Sequence, residues 1–341
     1  MSQVRARRRK ATWSLWTERR MPSEYEAVTY RYHYHFRREP APFELSPDWS
    51  INQWYLKYRE GSAFNVDDWE GVRDPYRYTY RHYVAARHER EVYVDNLIDE
   101  FERHDHDRSL DGAWLDFLGR VVLPARFPLH ALQMSAAYVA KMAPSSFVTN
   151  MFHFQAGDEM RRIQRIAYLA KALALDNDRA DLADSAKARA TWEEDADWQP
   201  VRELVEKHLV AYDWGEAFAV RNLVVKPILD EFVNVEGARV ARASGDELLA
   251  LMLDDFQDHD TRYSRDATRA VVDHALGKNP ELRGVLQGWL DRWEPLGHAA
   301  AEGLARLFAS APKADPAEAI LGRVGERYAS WLGDLGLELR R

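Results

Sequence analysis

The stretch Ser145 to Leu173, SSFVTNMFHFQAGDEMRRIQRIAYLAKAL, constrains the fold more than any other. Phe152, Glu159, Ile166 and Leu173 recur seven apart, and Gln155, Arg162 and Leu169 fill the other seam position. A pattern sustained over this length predicts a long helix with one face packed against neighbouring helices. The ends of the seam are apolar, but its centre holds Gln155, Glu159 and Arg162. A carboxylate in a buried seam needs a partner, because desolvating it alone costs several kcal/mol. The centre therefore calls for a metal, a salt bridge, or a polar break that fixes helix register.

Composition narrows the choice. There is no cysteine in the 341 residues, which excludes disulfides, cysteine-held metals and a thiol nucleophile, and fits a cytoplasmic protein. The net charge of −8 argues against a general nucleic-acid binder. No apolar run approaches the roughly 20 residues of a membrane span. The basic start, Arg5 to Lys10, has no apolar segment behind it and does not read as a secretory signal. It reads as a solvated or partner-bound tail.

Residues 1–80 read as an extended arm. Trp13, Trp16, Tyr25, Tyr32, Phe36, Trp54 and Trp69 lie among prolines 22, 40, 42, 47 and 75. Such a segment is too aromatic to stay in water and too broken to make its own core, so it should wrap a neighbouring surface. The alternation of Tyr30, Tyr32 and Tyr34 with Arg31, His33 and His35 allows a pair of short strands around Val28–Phe36. From residue 81 the chain is helical to its end and reads as one compact unit. Helices are expected over Arg81–His104, over Gly112–Met142 with kinks at Pro124 and Pro128, and from Ser145 onward. After a polar, loop-like stretch from Asp176 to Asp197 with room for a short helix, further helices are expected from Pro200 to Val233, kinked at Pro227, and from Asp246 to Leu276. Two more follow, from Pro280 to Phe308 and a peripheral one over 317–335.

A polar centre in a helical seam raises the possibility of a dinuclear carboxylate site, which takes two lone Glu residues and two Glu-x-x-His pairs from four helices. None of the 12 histidines has an acidic residue three positions before it, so no such pair exists. No Asp or Glu occurs between Leu118 and Gly157, so the preceding helix supplies no carboxylate. Polar residues do stand at ligand-like positions. Glu159 is followed at the fourth place by Arg162. Glu216 interrupts the stripe Leu209, Tyr212, Ala219, Leu223. Asp260 and Tyr263 occupy the middle of Leu249, Leu253, Phe256, Ala267, Ala270. These read as degenerate ligand positions, hydrogen-bonded among themselves, with no metal and no catalytic residue in this chain. The pairs His33/His35 and His104/His106 lack nearby groups to complete a metal site.

The chain resembles the β subunit of the hydroxylase component of bacterial multicomponent monooxygenases, the soluble diiron enzymes, and within them the toluene and alkene branch. The resemblance rests on Arg20-Met21-Pro22-Ser23-Glu24-Tyr25-Glu26, Asp67-Asp68-Trp69 with Arg73-Asp74-Pro75, Pro124-Ala125-Arg126 and His130-Ala131-Leu132-Gln133-Met134. It rests also on Asp213-Trp214-Gly215-Glu216-Ala217-Phe218 and Trp293-Glu294-Pro295-Leu296. It implies an all-α, ferritin-like helical bundle, similar to the catalytic α subunit but without iron ligands. Asp158 to Arg162 matches the α subunit's Asp-Glu-x-Arg-His with Arg162 in place of His. Further implied are a diiron centre in a partner α subunit, a small γ subunit, a regulatory protein, and a reductase that carries FAD and a 2Fe-2S cluster and passes on electrons from NADH. On this reading the arm, with Trp13, Trp16, Tyr25, Tyr32, Phe36, Trp54 and Trp69, supplies the interface to α. The competing readings are an active diiron or dimanganese enzyme with unrecognised ligands, and a helical scaffold unrelated to oxygenases.

Overall fold

The computed structural model describes residues 16, 20–30 and 49–339, and no strand occurs among them. Two short helices come first, α1 (Glu24–Thr29) and α2 (50–60). They are followed by α3 (Tyr80–Glu102), α4 (112–122), α5 (Arg126–Met142), α6 (Ser146–Asp176), α7 (Ser185–Glu194) and α8 (Gln199–His208). Last come α9 (214–244), α10 (247–278), α11 (Leu282–Ala309) and α12 (Ala317–Asp334). The bundle is built on α5, α6, α9 and α10. The hairpin of α5 and α6 packs along its length, and α8, α11 and α12 cover the far side of α9.

The caps are where side chains capable of satisfying the first free backbone N–H groups occur. Ser145 accepts from the Val148 amide, Asp111 from Ala113, Asp213 from Glu216 and Asp246 from Leu249. Gly245, with φ +86°, turns the chain between α9 and α10 in a conformation that a side chain would strain. The seam of α6 is buried as its spacing demands: Phe152, Gln155, Glu159, Arg162, Ile166, Leu169 and Leu173 all lie inside.

Three expectations are corrected. The helix expected over Gly112–Met142 is not kinked but broken: Pro124 falls in a turn between α4 and α5. The helix expected from Pro200 to Val233 stops at His208 and restarts at Trp214, because Asp213 is an N-cap, and it then runs on to Ser244. Residues 28–29, at the start of the expected strand pair, are the end of α1; Tyr32, Phe36 and the rest of that segment lie outside the described residues.

Pro227 lies inside α9. It sits between two π-helical turns, Val220–Val225 and Glu231–Glu236. Proline cannot donate to the carbonyl four residues back. That carbonyl, on Leu223, instead accepts the Tyr328 hydroxyl of α12 at 2.7 Å. The helical strap α12 is thereby pinned to the middle of α9.

Much of the described arm packs on this chain's own bundle. Tyr25, Tyr30, Phe64, Trp69 and Val72 join the main core. Ser23 and Glu26 form a capping box on α1, and Arg20 (2.6 Å) and Arg73 (3.2 Å) both pair with Glu26. Asp74 is buried, taking the Tyr263 hydroxyl at 2.9 Å and the Tyr76 amide at 2.8 Å. Ser62 donates to Asp213 at 2.7 Å, and a side chain at Gly215 would strike Phe64, Ser62 and Trp289, so glycine lets the arm lie close on α9.

Candidate functional site

At the centre of the four helices lies a fully buried polar hub. From α6 come Gln155, Glu159 and Arg162; from α9 come Arg221, Asn222, Lys226, Asp230 and Asn234; from α10 come Thr261 and Ser264. The helix α5, with no acidic side chain to offer, contributes a backbone carbonyl: Leu132 accepts from Arg221 Nε at 3.2 Å. Arg162 Nη1 bridges Glu159 (2.9 Å) and Asp230 (2.8 Å), and its Nη2 donates to Asn234 at 3.0 Å. Lys226 Nζ likewise spans Glu159 (2.8 Å) and Asp230 (2.9 Å). Arg221 reaches Gln155 at 2.6 Å and Glu159 at 3.3 Å. Thr261 donates to Asp230 at 2.9 Å.

Charge explains the protonation states. Burial alone would raise the Asp230 pKa, but Lys226 and Arg162 beside it outweigh burial and hold it below the usual carboxylate value. Burial would likewise lower the pKa of Arg162; Asp230 and Glu159 reverse that and raise it. At Arg221 burial prevails, and its pKa is lowered.

The adjacent residues of α6 point the other way and build a second set. Arg87 of α3 grips Asp158 through two bonds of 2.6 and 2.7 Å. Arg161 bonds Asp260 at 2.8 Å and Asp255 at 2.6 Å, and also pairs with Glu91. Burial, then the nearby Asp158, raise the pKa of Asp260. The hub has three cations, Arg162, Arg221 and Lys226, against two carboxylates, Glu159 and Asp230. The outer set is richer in acid, with Asp158, Asp255, Asp260 and Glu91 around Arg87, Arg90 and Arg161. Each set feels the other: Asp260 supports the charge on Arg162, and Asp158 supports that on Arg221.

A dinuclear metal centre does not fit here. Both hub carboxylates are already engaged by cationic side chains, and three positive charges repel a divalent ion at that point. No group of three or more His, Asp or Glu side chains suited to a metal occurs among the described residues.

Of the ligand-like positions read from sequence, Glu159 and Arg162 meet in the hub, and Asp260 lies in the outer set. Tyr263 is buried but belongs to the arm joint at Asp74. Glu216 is corrected. It lies near the start of α9, away from the hub, where it accepts Trp293 Nε1 at 2.9 Å and Arg292 at 3.0 Å. The carboxylate that α9 contributes to the hub is Asp230. The sequence carries its signal: Asn222, Lys226, Asp230 and Asn234 are polar residues four apart. In a regular α-helix such a row drifts about 40° per step. The π turns at 220–225 and 231–236 underwind α9 and keep the row on the hub.

Among the aromatic interface candidates, Tyr25 and Trp69 are corrected too: each is about 95% buried within this chain and has little surface left for a partner. Trp16 and Trp54 are half-buried. Trp54 packs on Tyr58 and Tyr212 and donates to the Tyr138 hydroxyl at 3.1 Å. Trp13, Tyr32, Phe36, His33 and His35 lie outside the described residues. His104 is exposed on α3's exit, while His106 bonds Asp246 at 3.1 Å; neither joins a metal cluster.

A model of the methane/phenol/alkene hydroxylase family matches residues 54–279. The chain belongs to that family. It is 39% identical over 300 residues to the β subunit of the hydroxylase component of the toluene-4-monooxygenase system of Ectopseudomonas mendocina, covering 88% of this chain and 90% of that one. It is 26% identical to an oxygenase component of phenol 2-monooxygenase from Pseudomonas sp. strain CF600, covering 82% of this chain and 81% of that one. It superposes with a TM-score of 0.79, at 38% identity, on a chain of toluene 4-monooxygenase solved with toluene in its resting active site, covering 85% of this chain and 95% of that one. A chain of phenol hydroxylase from Pseudomonas sp. OX1, 22% identical, shares the fold with a TM-score of 0.81, covering 100% of this chain and 98% of that one. The all-α, ferritin-like expectation thus holds. Among the described residues no helix is long and apolar enough to cross a membrane.

Proposed function

We propose that this chain is the non-catalytic β subunit of a heteromeric hydroxylase in an NADH-dependent monooxygenase that inserts one atom of O2 into an aromatic or alkene hydrocarbon. One observation carries the reading. Where a dinuclear site would need open carboxylates, Arg162, Lys226 and Arg221 occupy both Glu159 and Asp230. Such a centre holds no redox metal and activates no oxygen, but it ties four helices together. The diiron centre and the hydrocarbon pocket belong to a partner α subunit. The γ subunit, the regulatory protein and the reductase complete the system in the cytoplasm.

The chain's task is then mechanical: to hold a neighbouring catalytic bundle rigid. Surfaces suited to that contact are the half-buried Trp16 and Trp54, the exposed Trp49 and Ile51 beside α2, and the outer side of α3 at Tyr80, Val84 and Val92. Large apolar side chains left in water on neighbouring turns are what an interface covers.

The test is metal analysis of the chain purified alone and co-expressed with its genomic neighbours. The expected result is no iron above background alone, and co-purification with an iron-bearing larger subunit. About two irons bound by the chain alone would overturn the reading in favour of an active diiron enzyme.

A further inference from the structure

The helix α3 is 23 residues long, yet none of its residues joins the main apolar core. Its only wholly buried apolar residues, Val94 and Ile98, form a separate small cluster with Leu248 and Met252 of α10. The rest of its inner face is held by polar pairs: Arg87 with Asp158 and Asp260, Arg90 with Asp255 at 3.0 Å, Glu91 with Arg161 and Arg165, and Asp95 with Arg165 at 2.8 Å. Tyr83 adds a stacked contact on Phe154, with ring centroids 4.4 Å apart. At each end of α3 the chain turns through a non-glycine residue in the left-handed region, Arg77 (φ 50°) and Asp105 (φ 51°). Such residues mark sharp, mildly strained turns.

We propose that α3 is a clip that opens as a unit between the turns at Arg77 and Asp105 while the four-helix core stays closed. Local opening follows cooperative units, and a unit with its own small core and few apolar contacts is the first to open. Opening has a defined consequence at the hub. It withdraws Arg87, Arg90 and Glu91, leaves Arg161 facing Asp158, Asp255 and Asp260, and so changes the charges that support Arg162 and Arg221 from outside the hub. An event on the outer side of α3 is thereby felt at the centre of the bundle through Asp158 and Arg161.

Hydrogen exchange by mass spectrometry on the full-length chain tests this. Amides of 80–102 should exchange about 100-fold faster than those of α6 and α9. Val94→Ala, which touches only the small cluster, should speed exchange in α3 by roughly tenfold or more while leaving α6 and α9 unchanged. Arg87→Met should speed exchange in α3 from the polar side as well, and should add a smaller rise in α6 around Asp158, which loses its partner. The clip is refuted if α3 exchanges as slowly as α9, or if Val94→Ala speeds all of these helices in parallel.

Discussion

Asp230→Asn is the sharpest probe of the hub. The substitution keeps shape and the hydrogen bond from Thr261 but removes one of two negative charges. Asp230 is 1% exposed and meets Arg162 at 2.8 Å, Lys226 at 2.9 Å and Thr261 at 2.9 Å. Without its charge, three buried cations face Glu159 alone. Breaking a buried pair in this way costs about 3–5 kcal/mol, since the partner charge remains desolvated. At about 2.1 cal/mol/K of unfolding entropy per residue, a chain of 341 residues shifts by roughly 1.4 °C per kcal/mol, so the apparent melting temperature should fall by about 4–7 °C. The same count predicts an order among variants. Lys226→Met leaves two cations against two carboxylates and should cost less than Asp230→Asn. The double variant should recover roughly 1–3 kcal/mol relative to the sum of the two single changes. Urea unfolding followed by circular dichroism, with thermal melts, reads all three. A loss under 1 kcal/mol for Asp230→Asn, or additivity within about 0.5 kcal/mol, would show that charge balance does not hold the hub together.

Other outcomes follow from single contacts. The hydrogen bond to Asp246 raises the pKa of His106. The stability it lends is complete below the unfolded value of about 6.5 and is lost as pH rises through the higher folded value; His106→Gln should flatten that part of the melting profile between pH 6 and 8. Tyr328→Phe strands the Leu223 carbonyl that Pro227 leaves free, and should cost about 1–3 kcal/mol in urea unfolding; adding Pro227→Ala, which restores a backbone donor, should recover most of it. Trp69→Ala should cost about 3–5 kcal/mol because its ring is inside the core. Trp54→Ala, which loses only half-buried contacts, should cost less than Trp69→Ala and weaken co-purification with the larger subunit, read by size exclusion.

The α6 seam was legible because its period is long and its polar break is confined to Gln155, Glu159 and Arg162. Ser145, Asp111 and Asp246 marked helix starts by ordinary capping chemistry. Asp213 is an equally good cap, but the apolar spacing from Leu209 to Leu223 ran across it and carried Glu216 into a seam it does not occupy. Asp230 was missed for a related reason: a row spaced by four fits no regular helix, and only the π turns of α9 bring it into line. The outer set was hidden because Arg87 and Asp158 are 71 residues apart and lie on helices whose pairing no local pattern specifies. Trp69 and Tyr25 look from sequence like surface for a partner; the surface they wrap is this chain's own bundle.

The remaining question is what the hub contributes, given that an ion network is not needed for stability. A buried network replaced by well-packed apolar side chains often leaves stability unchanged or improves it. What the charges supply is register. Adjacent residues of α6 face opposite sets, so a slip of one position would put Glu159 and Arg162 where Asp158 and Arg161 stand and bring Met160 and Ile163 into the hub, leaving Asp230, Lys226 and Arg221 without their partners. The π turns at 220–225, 231–236 and 256–261 each carry residues that bond in these sets, so they too are tied to one alignment. A subunit whose task is to keep a neighbouring site rigid needs one alignment more than it needs extra stability. Replacing Glu159, Arg162, Arg221, Lys226 and Asp230 together by Leu or Met should therefore give a helical protein of similar melting temperature whose α6 and α9 amides lose protection and whose binding to the larger subunit weakens. If that variant keeps both slow exchange and binding, register is set by the apolar packing alone and the hub has no such role.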